Sequence, residues 1–489
     1  MLNTQTLTQP IADRQPNSLY LLFFTELWER FGFYTLQTII ILYMTKSLLM
    51  HDSNANLLYA AFSSLLYLTP TIGGYLADKY LGFQRSIIIG GALFIVAYLI
   101  CASPDKTLFF IGLSLLICAN GFFKPNVSSI VGELYRKNDP RRDGGFTLFY
   151  MGINIGALIP PLIAGTLVAK YGWHSGFLLA AMGMMIGQIT FMLGRKSLGT
   201  AGLYPKKNLE HTKPGYKFYG LLSVGVMIFV GLCQLAFIYP ETTANLIAVA
   251  AVFILLMTVF FLLKEPLLQR KKMSACLILI IISFGFWALY NQTFTSLMLF
   301  ADRNMNHQIL GIPLDAEGTQ FFNSFFIIAL SPILSRLWLR MDNFGFNPST
   351  QKKFSFGILF MSAGYLVLAL GAKFFGDDAG VISAWWLVIS YLLQTIGELL
   401  LSPIGLAMIT VLCPKHLTGM MMGVWFFVQA ASFAVGGFLA NIAAVPEHAT
   451  AVASLPIYSH AFTLYGLIAL TMAIISFALL PLINRMIRE

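Results

Sequence analysis

The chain has 489 residues, of which 57% are hydrophobic and only 11% are charged, and its mean hydropathy is +0.74. A soluble chain carries about 25% charged residues, so this composition excludes a series of soluble domains and indicates a polytopic membrane protein. The formal net charge of +10 would suit a nucleic-acid partner, but its placement along the chain argues against one.

The predicted elements are hydrophobic runs, each long enough to cross a bilayer as a helix. They follow a polar N-terminal tail, 1–18, which lacks the basic-then-hydrophobic layout of a cleaved signal peptide. We therefore expect the first spanning helix to serve as the insertion signal. The fourteen runs lie at 19–46, 56–78, 85–103, 108–134, 144–169, 173–194, 217–238, 243–263, 274–300, 319–341, 353–372, 382–411, 417–441 and 459–484.

Lysine and arginine are distributed unevenly between the two sides of this arrangement. With both termini in the cytoplasm, 24 of the 31 fall in cytoplasmic segments, 5 fall on the opposite side, and Arg30 and Lys124 lie inside helices. This bias follows the positive-inside rule. The basic charge is therefore a topology signal, and the sequence predicts a multi-pass protein of the cytoplasmic (inner) membrane with no nucleic-acid partner.

A basic loop after the sixth run divides six helices from eight. If the next two helices are an insertion, the remainder forms two six-helix bundles, which is the major-facilitator plan. The predicted domains are the tail 1–18, an N-terminal bundle 19–194, a linker with two extra helices 195–272 and a C-terminal bundle 273–486. The five cysteines are scattered, which indicates small buried side chains rather than disulfides or a metal site.

Three ionisable residues, Glu26, Glu29 and Arg30, lie within one turn of the first hydrophobic run. Such residues are costly in hydrocarbon and mark a functional site by default, with a structural salt bridge between helices as the alternative. At roughly 100° per residue, Glu26, Arg30 and Tyr34 share one face, with Glu29 at its edge. That stripe cannot face lipid.

Two further features of the first half suggest moving parts. The glycine-rich loop 73–85 joins two helices on the predicted cytoplasmic side, and its Asp78 can pair with a helix N-terminus or a nearby arginine and so stabilise one gate state. An ordinary charged turn is the alternative. Lys124 lies deep in the fourth helix beside Pro125, which bends the helix. A charge at a bend favours a cavity-lining element over a merely structural lysine.

Polar residues in the later helices complete the candidate site. Asn154 lies between Gly152 and Gly156, a small-xxx-small pair. It either forms a hydrogen bond that holds two helices together or provides a hydrogen-bonding group in a cavity. Glu398 is the only acid of its span, and Ser402 lies one turn further on the same face. Asn323 and the bend at Ser331–Pro332 mark another irregular helix. Trp287, Tyr290 and Asn291 form an amphipathic aromatic face that is more typical of packing.

The charges of the two halves are complementary to a zwitterion. The first half supplies the cations Arg30 and Lys124, and the second supplies the anion Glu398. A ligand between them would carry a carboxylate and an ammonium, as a short peptide does. Protonation of Glu26 would release Arg30 for an anionic ligand, which requires differential binding between states. No histidine lies clearly in the middle of a helix, so we expect a carboxylate to carry the proton.

These motifs resemble a known family. The residues at 26–31, Glu-Leu-Trp-Glu-Arg-Phe, match the ExxERF motif of the proton-dependent oligopeptide transporters, and segments 73–85 and 146–158 resemble the two signature patterns of that family. The resemblance extends over about 21–482. The chain is similar to the bacterial di- and tripeptide permease type, whose two extra helices between the halves correspond to 217–263.

The resemblance implies proton-driven import of di- and tripeptides by alternating access, with a proton gradient and no cofactor. It assigns proton coupling to Glu26, Glu29 and Arg30. It assigns the peptide carboxylate to Arg30 and Lys124, and the peptide amino terminus to Asn154, Asn323 and Glu398. Further pocket residues by this resemblance are Tyr34, Tyr67, Trp287, Asn291, Ser402 and Trp425. The gating residues of the signature loop are Gly74, Asp78, Gly82 and Arg85.

The chain departs from the family pattern at three positions. Phe33 replaces the first of two tyrosines that often end the motif, and Gln37 replaces a cation of some members. Asn291 stands where the family often carries a glutamate that can pair with the lysine at the position of Lys124. The gating partner of Lys124 is therefore left open.

The leading hypothesis is a proton-coupled symporter of di- and tripeptides, expected to be monomeric and surrounded by lipid. A second reading is a transporter of the same family with a non-peptide anionic or drug-like substrate, and a third is a membrane receptor or scaffold that senses peptides. An enzyme has little support, since no nucleophile-base pair, metal cluster or phosphate loop appears in the loops.

Overall fold

The computed structural model describes residues 14–136, 139, 141–203, 215–345, 348–414 and 416–488. Most of the predicted N-terminal tail therefore lies outside the described residues. So do five of the basic residues on which the predicted topology rests, namely Lys137, Lys206, Lys207, Lys213 and Lys415.

Seven α-helices form the first half of the described chain. They are α1 (Asn17–Leu42), α2 (Asp52–Leu76), α3 (Phe83–Cys101), α4 (Lys106–Glu133), α5 (Arg142–Leu158), α6 (Pro160–Tyr171) and α7 (Trp173–Gly194). Helices α1 and α2 end in π-helical turns at Tyr43–Ser47 and Ala77–Leu81. Helices α5 and α6 form one span, which is interrupted where two prolines, Pro160 and Pro161, start a new helix.

The remainder begins with a helical pair, α8 (Tyr216–Ile238) and α9 (Pro240–Leu263). The second half then comprises α10 (Leu267–Tyr290), α11 (Ser296–Asn304), α12 (Phe321–Asn343), α13 (Thr350–Phe374), α14 (Ala384–Leu412), α15 (Thr418–Ala440) and α16 (Ala451–Arg488). Between α11 and α12 lies an antiparallel hairpin of β1 (Gln308–Ile309) and β2 (Ile312–Pro313), in which Ile309 pairs with Ile312.

The described residues contain thirteen segments that are long and hydrophobic enough to span a membrane. Helix α1 has 26 residues but carries three ionisable side chains in its middle, so it stands apart from those thirteen. Together they make the fourteen predicted spans, and the predicted number of helices is confirmed. Helix boundaries differ at α16, which begins at Ala451 rather than near 459, and at α10, which begins at Leu267 rather than near 274 and ends at Tyr290 rather than near 300.

Each half forms a bundle, and the helical pair α8–α9 lies between them. In the first bundle α1 packs on α5 and α7, and α4 packs on α2 and α3; in the second, α13 packs on α14 and α16. Helices α2 and α15 form the main contact between the bundles. The extra pair touches both bundles, since α8 packs on α4 whereas α9 packs on α15 and α2.

Candidate functional site

The three charges of α1 form one buried cluster. The side chains of Glu26, Glu29 and Arg30 are at most 4% exposed. The Arg30 guanidinium donates from Nε to Glu29 Oε2 at 2.5 Å and from Nη2 to Glu29 Oε1 at 2.6 Å, which is a bidentate pair. Glu26 Oε1 lies 3.6 Å from Arg30 Nε. The main partner of Arg30 is therefore Glu29, which sequence analysis placed at the edge of the face, and not Glu26.

Two glycines of α5 allow α1 to sit close enough to hold this cluster. A Cβ at Gly152 would lie 3.1 Å from the Phe23 carbonyl oxygen, and one at Gly156 would lie 3.0 Å from Arg30 Cβ and overlap the Leu27 carbonyl oxygen. The small-xxx-small pair predicted from the sequence is thus a helix-helix contact. Asn154 between them donates to the Tyr150 carbonyl oxygen of its own helix at 2.9 Å.

We expect Gly156→Ala to lower the stability of the protein by about 1–3 kcal/mol, because the added carbon overpacks the α1–α5 contact. Gly423→Ala is the matched control, since no atom lies within 4 Å of a Cβ at that helical position, and alanine is the better helix former. Thermal unfolding of the two variants in detergent should therefore show shifts of opposite sign. Equal melting temperatures would contradict the proposed contact.

Lys124 extends the cluster towards α2. Its side chain is half-buried, and its Nζ lies 5.3 Å from the centre of the Tyr67 ring, within range of a cation–π contact. Its ammonium also interacts electrostatically with Arg30, Glu29 and Glu26. In this conformation the Lys124 ammonium therefore interacts with an aromatic ring of α2 and with the charges of α1.

Asn291 occupies the break between α10 and α11. It is fully buried, and neither its amide nitrogen nor its amide oxygen has a hydrogen-bond partner among the described residues. The side chain lies against Gly436 of α15. The residue that replaces the family glutamate is thus a buried polar group within the second half.

Glu398 belongs to a second polar cluster, built from three helices of the second half. Asn323 Nδ2 donates to Glu398 Oε2 at 3.0 Å and to Thr395 Oγ1 at 3.0 Å. Tyr290 OH donates to Asn323 Oδ1 at 3.3 Å, and the phenol interacts electrostatically with Glu398. The structure thus brings together Asn323 and Glu398, two residues predicted for one role.

Tyr34 interacts with both clusters. Its phenol interacts electrostatically with Arg30 of the first half and with Glu398 of the second. Together with Asn323 and Gln320 it lines a small cavity of about 10 Å³, enough for roughly one water molecule. The amide atoms of Gln320 are buried and lack partners in the described part of the chain. Tyr34 of the first half and Asn323 of the second, which donates to Glu398, therefore face a common space.

The predicted aromatic lining falls into two groups. Tyr67 and Trp287 are half-buried, and the Tyr67 ring packs on Phe433 with centroids 4.6 Å apart. Trp425 differs, because it is only 2% exposed and its ring lies on Gly405 of α14. Ser402 is half-buried on α14, one turn beyond Glu398. In this conformation Trp425 belongs to the packing between helices.

The predicted gating loop forms a tight turn after α2. Gly74 packs on Pro125 of α4, and Gly82 has a φ of +78°, with its would-be Cβ 2.8 Å from the Leu203 carbonyl oxygen. That conformation and that space both favour glycine. Asp78 is exposed, and Arg85 Nη1 donates to the Leu81 carbonyl oxygen at 3.5 Å.

Sequence analysis missed two features. It treated Tyr290 as part of a packing face, although the tyrosine donates to Asn323 and interacts electrostatically with Glu398. Its position three residues after Trp287, on one helical face, was the available signal. It also counted Arg303 only as a loop charge. Arg303 pairs with Asp52 across the bundles, and no local pattern could reveal contacts between residues 251 positions apart.

The Asp52–Arg303 pair joins the two bundles at one end of the molecule. Arg303 Nη1 lies 2.5 Å from Asp52 Oδ2 and Nη2 lies 2.8 Å from Oδ1. Asp52 begins α2 and Arg303 belongs to α11, so the pair joins the two bundles at the predicted extracytoplasmic end. Two flanking contacts also join the bundles, Lys46–Asp302 at 2.5 Å and His51–Glu447 at 3.1 Å.

Comparisons with known proteins agree on one family. The PTR2 model, described as the POT family, matches residues 84–456. The chain is 36% identical to "Dipeptide and tripeptide permease A" of Salmonella typhi over 98% of this chain and 94% of that protein. It is 38% identical to the protein of that name from Edwardsiella piscicida, over 97% of this chain and 96% of the relative.

Solved structures give the same result. A mutant of the peptide transporter POT in complex with alafosfalin superposes with a TM-score of 0.84 at 32% identity, over 97% of this chain and 96% of that chain. A POT family transporter in complex with 5-aminolevulinic acid gives a TM-score of 0.83 at 28% identity, over 96% and 97% of the two chains.

Proposed function

Because this chain belongs to the POT family, we propose that it is a proton-coupled symporter that imports di- and tripeptides across the bacterial inner membrane by alternating access. The observation that carries the proposal is the cavity shared by Tyr34, one turn beyond Arg30 on α1, and Asn323, which donates to Glu398. Tyr34 also interacts electrostatically with both Arg30 and Glu398, so a cation of the first bundle and a carboxylate of the second lie near one residue. A short peptide carries the complementary charges at its two ends. Such a ligand would pair with the buried or half-buried charges of the site. This pairing would offset the free-energy cost of removing those charges from water.

The relatives' names support the substrate class, and the geometry supports the assignment of ends. We propose that Arg30 and Lys124 hold the peptide carboxylate, while Glu398, Asn323 and Tyr290 hold the ammonium. A transporter of a non-peptide anion is the second candidate, but the Glu398 carboxylate would repel a substrate that carries only negative charge.

The transport unit that we propose is one chain, because a single chain supplies both clusters. Its bundles are 19–194 and 273–486, with 195–272 as the linking segment. In this proposal the proton gradient is the driving force, no cofactor takes part, and the activity is transport rather than enzymatic chemistry. Glu26 and Glu29 couple the proton to Arg30.

The conformation described here is proposed to be closed towards the outside. The Asp52–Arg303 pair and its neighbours join the bundles at the predicted extracytoplasmic end, while Tyr34, Lys124 and Glu398 remain half-buried. Alternating access then requires these outer pairs to break and re-form during each cycle.

The direct test of function is uptake of labelled dialanine into proteoliposomes with and without an inward acid gradient. Accumulation above equilibrium only with the gradient is the expected result. Folded protein that takes up no dialanine under either condition would overturn the peptide assignment and favour the non-peptide substrate.

Arg303→Gln is expected to shift the protein towards the outward-open state. It removes a partner from Asp52, whose side chain is 4% exposed while that of Arg303 is 27% exposed. Allowing for that exposure, the loss is about 1–2 kcal/mol, a five- to thirty-fold change in the ratio of states. Spin labels at the exposed positions Leu49→Cys and Leu310→Cys report the distance across this end, because all five native cysteines are buried.

The longer distances should gain population in Arg303→Gln. Lys106→Gln is the control, since Lys106 is an exposed cation at the same end, and it should leave the distribution unchanged. If Arg303→Gln behaves like the control, the outer ion pair does not hold the closed state.

A further inference from the structure

A hydrophobic crevice lies between α8 and the first bundle, away from the polar site. Its volume is about 210 Å³, and its walls come from α2, α4 and α8, including Ile72, Leu76, Phe122 and Phe229. These segments span the membrane, and α8 turns most of its surface outwards. Cavities lined by carbon stay dry and accept hydrophobic ligands. Within the membrane, the molecules that can fill this crevice are the acyl chains of lipids.

The end of the crevice towards the predicted cytoplasm is basic and aromatic. Tyr80, one turn beyond Leu76, packs on Phe218, one turn before Leu222 of the crevice, with ring centroids 5.6 Å apart. The exposed Lys79 ammonium lies 5.1 Å from the centre of the Tyr80 ring, and the exposed Lys217 lies in the first turn of α8 beside Phe218. Tyrosine and lysine at this level are typical of the membrane interface.

We propose that this crevice binds one anionic phospholipid of the cytoplasmic leaflet, with an acyl chain between α8 and the α2–α4 wall and the phosphate beside Lys79 and Lys217. Two observations favour this occupant over others. The crevice opens within the membrane, so a lipid reaches it without crossing water. The two lysines at its mouth match the negative headgroup, as basic pockets between helices do on the cytoplasmic side.

Gly225 of α8 provides a precise way to close the crevice. It lines the crevice, yet a Cβ built on it meets no atom within 4 Å, so the side chain of Gly225→Leu enters the space of the acyl chain without a clash. Gly231 of the same helix is the matched control. Its Cβ is equally unobstructed, and it does not line the crevice.

The test is native mass spectrometry of the purified full chain, washed free of lipid in detergent and titrated with phosphatidylglycerol or phosphatidylcholine of identical acyl chains. We expect one phosphatidylglycerol to bind at least tenfold more tightly than phosphatidylcholine. Gly225→Leu should weaken that binding at least tenfold, while Gly231→Leu leaves it unchanged. Lys79→Gln combined with Lys217→Gln should weaken the binding of phosphatidylglycerol by roughly 25-fold, because each lysine contributes about fivefold. The binding of phosphatidylcholine should not change.

Gel filtration and thermal unfolding in lipid-free detergent confirm that each variant is folded before titration. Equal binding by Gly225→Leu and Gly231→Leu would overturn the crevice as the site. Equal affinity for the two lipids, or loss of both lipids in the lysine variant, would overturn the headgroup assignment. None of these outcomes depends on peptide transport.

Discussion

Glu26→Gln is expected to abolish the accumulation of dialanine driven by an acid gradient, while exchange of labelled for unlabelled peptide across the same membrane continues. Glutamine has the shape of a protonated glutamate but cannot release a proton. A carrier locked in the protonated form can still alternate with peptide bound, so exchange survives. It cannot return empty and deprotonated, so net uphill transport is lost.

The structure provides the physical reason for choosing Glu26. Its Oε2 is buried and has no hydrogen-bond partner in the described part of the chain, whereas Oε1 lies 3.6 Å from Arg30 Nε. A charged oxygen left without a partner in hydrocarbon is costly, and a proton on it removes that cost. The neighbouring Glu29 uses both oxygens on the Arg30 guanidinium, so we propose that Glu29 anchors Arg30 and that Glu26 carries the proton.

Glu29→Gln separates the two roles. It breaks the bidentate pair and leaves a buried guanidinium without its main partner, at a cost of about 3–5 kcal/mol. Uptake and exchange should therefore fall together in Glu29→Gln, and separate in Glu26→Gln. Parallel loss in both variants, with each confirmed folded, would remove Glu26 from proton coupling.

The fold could be predicted from the sequence because hydrophobic length and loop charge are local properties. A run of about 20 hydrophobic residues has few alternatives to a spanning helix, and the fourteen runs were found this way. The interruption between α5 and α6 at Pro160 and the short break after Tyr290 were not predicted. They depend on how neighbouring helices satisfy the freed backbone groups, which a single segment does not record.

The candidate site was predictable where a residue was unusual in its own helix. Glu26, Lys124 and Glu398 are charges in hydrocarbon, and each was identified for that reason alone. The contacts that these side chains make with each other were harder to predict. Sequence spacing put Glu26 on the face of Arg30, yet the side-chain directions place Glu29 on the guanidinium. Contacts such as Asn323 with Glu398 join residues 75 positions apart and required the folded chain.

Glu398→Gln is expected to weaken binding of dialanine by roughly 10- to 100-fold, while N-acetylated dialanine binds the variant and the parent protein equally. The charge-assisted contact between a carboxylate and the peptide ammonium contributes about 1.5–3 kcal/mol, and acetylation removes the ammonium. Glutamine preserves the size of the side chain and can still accept from Asn323, whose Nδ2 lies 3.0 Å from Glu398 Oε2. Displacement of a fluorescent peptide by the two ligands measures both affinities.

Ile389→Ala, at an exposed position of α14, is the control for a general disturbance of that helix, and both ligands should bind it as they bind the parent protein. The difference between the ligands distinguishes a role in binding from a role in structure. A carboxylate that only organised Asn323 and Tyr290 would, when replaced, weaken both ligands alike. Equal loss for dialanine and its acetylated form would therefore remove Glu398 from the ammonium site and leave the second half without a partner for the peptide amino terminus.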